Sequence, residues 1–263
     1  EDRIMPIRQL DRAALKCEAK DLIRTARVSP IKMTLLLLAI SLVLDLLDTA
    51  LTSLTGRIVG VAFVSVSFAS ILIGLITQVL DAGYKCYSLG VHRREEMPYE
   101  SLFDGFTFAG KVIALYIVEG FFVALWSMLF VIPGIIAVYR YSFAIWNLCQ
   151  NPELGVMEAL NRSKRQTIGY KGQLFRLELS FFGWILLFGV VLGVYEALGV
   201  ILALMPDSFL GIMLGSLILT VLTGVVDIYL TPYFALSECG FYLRATAPEE
   251  PPRQDRSSYT PEF

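Results

Sequence analysis

The stretch Val112–Leu148, VIALYIVEGFFVALWSMLFVIPGIIAVYRYSFAIWNL, decides the fold. It carries two charges, Glu119 and Arg140, in an otherwise apolar run broken by Pro133-Gly134. A soluble core almost never holds an unpaired arginine. A bilayer holds one that faces protein or water and has a partner. A helix crosses the hydrocarbon with ~20 mostly apolar residues, so the stretch reads as two spans, 112–132 and 135–148. Pro-Gly is a strong turn signal, which favours a hairpin at Pro133-Gly134 over a kink within one bent helix.

Working outward, four more runs qualify. Residues 33–54 carry Asp45 and Asp48, and 58–80 carry no charge. Residues 174–205 carry Arg176, Glu178 and Glu196, and 209–241 carry Asp227, Pro232 and Glu238. The chain is 56% hydrophobic and 17% charged, against about 45–50% and about 25% in soluble domains. The expected fold is therefore an all-α membrane protein, a polytopic bundle of about six transmembrane helices. Residues 1–30 read as a cytoplasmic amphipathic segment, 31–243 as the transmembrane domain, and the Pro-rich 244–263 as a disordered cytoplasmic tail. No signal peptide is expected within residues 1–30, which lack an apolar run before a small-residue cleavage site. A net charge of −2 gives no footing for nucleic-acid binding.

Basic residues set the orientation. Of 22 lysines and arginines, Arg57 alone falls in the short connections on one side, Arg140 falls within a span, and Arg176, at the very start of 174–205, counts with the flank before it. The rest flank the other side, which the positive-inside bias assigns to the cytoplasm together with both termini. Cys17, Cys86, Cys149 and Cys239 all lie near that side without a CxxC, so free thiols are expected. His92 is the single histidine and no spacing suits a metal. No cofactor is expected.

Polar or amphipathic helices are expected between the hairpins. Residues 10–27 place Leu15, Ala19, Leu22, Ile23 and Ala26 at helical spacing, as in a helix lying on the inner membrane surface. Residues 98–110 put Tyr99, Leu102, Phe103 and Phe106 on one side of a short helix. Residues 151–168 begin with Asn151 as N-cap and Pro152 at N1, and stop at Gly169. Arg162, Lys164, Arg165 and Lys171 follow as a surface for anionic lipid headgroups or a partner.

Several of these pieces recur together: Ile132-Pro133-Gly134, Arg140-Tyr141-Ser142, Asn151-Pro152-Glu153-Leu154, Glu158-Ala159-Leu160, Gly169-Tyr170-Lys171 and Leu179-Ser180-Phe181-Phe182-Gly183-Trp184. With them the chain resembles the bacterial integral-membrane family catalogued as domain of unknown function 975, over roughly residues 10–245. The resemblance implies a multi-pass α-helical protein of the bacterial inner membrane. It implies no activity.

At ~1.5 Å per residue, Arg140 lies ~10 Å in from the outer turn, Asp45 ~13 Å, Glu196 ~15 Å and Glu119 ~20 Å. Asp227 is deeper still. Asp45 and Glu196 are the best-matched partners for Arg140, with Glu119 behind them. The set reads either as a structural ion pair or as a polar cavity. The expected role is a non-catalytic membrane scaffold or accessory subunit, with a second membrane protein or another copy as partner. The alternative is a transporter with its site around Arg140. An intramembrane enzyme acting on lipid ranks last, because no Walker loop, GxSxG or HExxH is present.

Overall fold

Helices account for all the regular structure of the described residues in this computed structural model: 9–55, 61–181 and 209–247, with residues 183, 186, 189, 190, 193 and 194 between the last two. The order is α1 (Arg12–Thr25), α2 (Pro30–Thr55), α3 (Val61–His92), a 3₁₀ helix (Tyr99–Phe108), α4 (Ala109–Leu129), α5 (Val131–Tyr141), α6 (Ala144–Gln150), α7 (Val156–Gln166), α8 (Lys171–Leu179) and α9 (Phe209–Thr246). Among the described residues, three segments are long and apolar enough to cross a membrane: Pro30–Thr52, Tyr99–Leu129 and Val131–Gln150. The expected span over 174–205 lies largely outside the described residues, as do Arg57 and the tail from 248.

The hairpin is present, but its turn sits earlier than expected. Phe130, extended at φ −161° and ψ 153°, separates α4 from α5. Pro133 lies inside the first turn of α5, where its missing N–H costs nothing. Gly134 lets the two helices close, since a Cβ there would overlap Ser127 Oγ.

Packing is concentrated at one end. The late turns of α3, the 3₁₀ helix, α6, α7, α1 and the last turns of α9 share a core that includes Leu15, Tyr87, Leu102, Phe143, Trp146, Phe241 and Tyr242. Trp146 stacks on Tyr242 with centroids 5.9 Å apart. Tyr242 Oη donates to Asn147 Oδ1 (3.0 Å), and Asn147 Nδ2 donates to Gln166 Oε1 (2.8 Å). We call this end the base. In contrast, only 11% of the most apolar stretch of Pro30–Thr52, and likewise of Tyr99–Leu129, is buried by the chain itself.

Local chemistry moves several expected boundaries. α7 starts at Val156 behind an extended Gly155 rather than at Pro152. Asn151–Leu154 is instead a turn closed by Leu154 N–H to Asn151 C=O (3.1 Å). Gly169, at φ 81°, ends that segment as expected. The segment after Pro98 is 3₁₀, not α. Three residues per turn stack Leu102, Gly105 and Phe108 on the buried side and turn Phe103 and Phe106 outward; Tyr99, at the open head of the buried row, is exposed as well. α1 begins after Asp11, whose carboxylate caps Ala13 N–H at 2.9 Å. Its stripe of Leu15, Ala19, Leu22 and Ile23 is buried by the protein, and Lys16 lies 4.2 Å from the Phe181 ring centroid.

The cysteines differ from expectation. Cys86 on α3 and Cys149 on α6 form a disulfide with Cα atoms 5.2 Å apart, a separation suited to a bridge. They stand 63 residues apart in sequence, so only the packing of α3 on α6 brings them together. Cys17 is free and exposed, and Cys239 is free and buried.

Candidate functional site: a lysine among carboxylates

Asp81 and Lys85 are one helical turn apart on α3, so they share a face. Tyr116 and Glu119, three residues apart, share a face of α4. α6 brings Trp146 and α9 brings Glu238. The Lys85 ammonium lies 5.7 Å from the Trp146 ring centroid. Its field is set by Glu238, Tyr116, Asp81 and Glu119. Trp146 Nε1 donates to Glu238 Oε1 at 3.4 Å. Glu178 on α8 accepts a hydrogen bond from Tyr139 Oη on α5 and feels both Glu238 and Lys85. Six helices thus converge on one lysine and four carboxylates.

The cluster is loose. Among the described residues, the ion pairs within 4.0 Å are Arg27–Glu96 and those of Glu18 with His92 and Arg244. Lys85 is in none of them. Burial lowers the Lys85 pKa, but the combined pull of Glu238, Tyr116, Asp81 and Glu119 outweighs it, so the ammonium is held above the ordinary lysine value. Asp81 is pushed up by burial, with Lys85 pulling the other way. The charge excess is negative, so the cluster can hold protons or attract a cation. It can equally tie the helices together through Lys85 at the centre. Among the described residues no group of three or more His, Cys, Asp or Glu side chains could hold a metal ion.

The residues singled out from sequence are distributed differently. Arg140 does not come within ion-pair distance of Asp45, Glu119 or Asp227, and Glu196 lies outside the described residues. Asp45 is exposed on α2. Its neighbour Asp48 accepts from Ser70 Oγ of α3 at 2.5 Å. Asp227 is partly exposed on α9. Glu119 joins Lys85 instead of Arg140.

Arg140 belongs to a basic face. Its carbonyl accepts from Ser163 Oγ (2.9 Å) and Thr167 Oγ1 (3.3 Å) of the α7 segment, which fixes the end of α5 on α7. Burial first, and the Arg140 charge second, hold the Lys171 ammonium below the usual lysine value. Lys164 sits 5.7 Å from the ring centroids of Phe122 and of Tyr141. Arg162 is partly exposed and Arg165 exposed on the same helix.

Sequence reasoning did not single out Lys85, Asp81, Tyr116, Tyr139, Trp146, Glu178 or Glu238 as one cluster. A signal was present: Tyr84, Tyr87 and Leu89 continue the apolar pattern of α3 past Leu80, which places Lys85 within a buried helix.

Residues 128–249 match the family described as "Protein of unknown function (DUF975)", and the resemblance read from the sequence holds over that region. The match takes in Arg140, Trp146, Glu178 and Glu238 and leaves out Asp81, Lys85 and Glu119. No curated protein and no solved structure matches the chain.

Proposed function

We propose that the protein is a non-catalytic membrane scaffold or accessory subunit of the bacterial inner membrane, with six spans, both termini in the cytoplasm and the base on the cytoplasmic side. The observation that carries this reading is the contrast between the two ends. The base is packed like a soluble core, and no buried side-chain nitrogen or oxygen among the described residues lacks a partner. Pro30–Thr52 and Tyr99–Leu129 bury little of themselves, while Val131–Gln150, which runs into the base, is half buried. Isolated in water, such surface would be a liability. In a membrane it is open to lipid and to another set of helices, and helices associate there by packing rather than by the hydrophobic effect. The cytoplasmic placement is supported by the concentration of basic residues in α1 and in the α7–α8 region. Two cavities, of about 260 and 280 Å³, flank the base, and Lys85 lines neither.

The test is extraction from native membranes in polymer nanodiscs followed by native mass spectrometry. A defined complex with a second membrane protein or another copy is expected. A lone chain with lipid overturns the reading.

The Lys85 cluster favours a second reading. A lysine among four carboxylates beside spanning segments is the kind of set that binds a cation or relays protons. Proton or cation flux in liposomes, lost in Lys85→Met and retained in Arg140→Gln, would establish it.

A further inference from the structure

Cys86 and Cys149 are joined across α3 and α6 at the end of the molecule that the proposed topology puts in the cytoplasm, where thiols are normally kept reduced. Both are partly exposed. A cavity of about 280 Å³ opens beside them, lined among others by Arg93, Asp104, Thr107 and Pro152. Arg93, Asp104 and Thr107 are exposed at its rim, so the bridge is reachable from solvent. The bridge is also placed where it matters: Cys86 follows Lys85 directly, and Cys149 is one helical turn after Trp146.

We propose that Cys86 and Cys149 form a reversible thiol–disulfide site, reached through this cavity by a cytoplasmic dithiol reductant, that clamps α3 to α6 when oxidised. A thiolate of the reductant attacks one sulfur of the bridge. The other cysteine leaves as a thiolate and takes a proton. The second thiol of the reductant then displaces the first cysteine, which also ends as a thiol, and the reductant departs as its own disulfide. Closure is the reverse exchange with a low-molecular-weight disulfide such as oxidised glutathione. Two electrons pass in each direction. Opening frees α6 from α3 and loosens the Lys85–Trp146–Glu238 contact. The inference rests on the cytoplasmic placement of the base in the proposed function.

Cys17, exposed on α1, reports that placement separately. Native membrane vesicles are treated with a membrane-impermeant maleimide and the labelled cysteines are identified by mass spectrometry. In inverted vesicles Cys17 alone is expected to label. After a dithiol, Cys86 and Cys149 label as well, and oxidised glutathione returns the pattern to Cys17 alone. Cys149→Ser should leave Cys86 open to labelling both before and after the dithiol. Reduction should lower the melting temperature of the wild type and leave Cys149→Ser unchanged. The proposal is overturned if Cys86 and Cys149 label after oxidised glutathione, or if they stay unlabelled after the dithiol. Labelling of Cys17 in intact spheroplasts instead of inverted vesicles overturns the placement itself, whatever the state of the bridge.

Discussion

Gly83→Ala tests the contact on which the base is built. A Cβ at Gly83 would overlap the carbonyl oxygen of Leu102 and press on its carbonyl carbon at 2.8 Å, with Gly105 N third at 3.4 Å. All three belong to the peptide backbone of the 3₁₀ helix, so no side chain can swing aside. Overpacking costs about 1–3 kcal/mol, and a rigid backbone partner puts this site at the upper end. Replacing a helical glycine by alanine returns about 1 kcal/mol, so the net loss is about 2 kcal/mol. At ~2–4 °C per kcal/mol for a chain of this size, the melting temperature falls by roughly 4–8 °C. Gly105→Ala should fall at least as far, because its Cβ would overlap Val79 O and a 3₁₀ position gains less helix propensity. Gly110→Ala is the control, with nothing within 4 Å of the added carbon. It should hold or rise slightly. The assay is thermal unfolding in detergent followed by fluorescence. If Gly83→Ala melts with the wild type or above it, the close crossing of α3 and the 3₁₀ helix is wrong.

Other consequences follow from single residues. Ser163 Oγ accepts from Phe143 N–H (3.2 Å) and donates to Arg140 C=O (2.9 Å), so Ser163→Ala strands a buried donor and should cost about 1–3 kcal/mol in chemical or thermal melts. Arg140→Gln removes no ion pair among the described residues, so its melting temperature should stay within ~2 °C of wild type; a larger drop would restore Arg140 as a structural lock. Burial, ahead of the opposing pull of Leu236 C=O and Glu18, holds the His92 pKa below 6.5. The unfolded chain therefore binds the proton first as pH falls, and the stability present above about 6.5 is lost as pH drops through the folded value. His92→Gln should flatten that part of a melting-temperature profile between pH 7 and 5, and an unchanged profile would assign the slope to other groups.

Much of the fold is legible because apolar length and charge spacing act locally. The run Val112–Leu148 announces two helices whatever surrounds it, and Gly169 marks a stop because its backbone needs a left-handed turn. The turn at Phe130 is not legible. Pro-Gly is a turn signal in loops, but proline is equally at home in a first helical turn, and the approach of Gly134 to Ser127 decides between them. An α-helical period groups Leu102, Phe103 and Phe106 on one side, but the chain follows a period of three there, which buries Leu102 and turns the two phenylalanines outward. The site was harder still. Arg140 looks costly in a linear reading because its neighbours are apolar, yet α7 and Lys171 meet it at the edge of the base. Lys85 looks like a loop charge until Trp146 and Glu238, both far along the chain, close over it.

The most direct test of the scaffold account is a double-mutant cycle on that lysine: Lys85→Met, Glu238→Gln and the pair together, melted in the same detergent. If the cluster holds the base together, each single change should cost about 1 kcal/mol, with a coupling of at least about 0.5 kcal/mol recovered in the double. Singles that melt with the wild type or above it would contradict that account, because a buried charge that does not hold the fold leaves the cation or proton pathway as the reading to pursue.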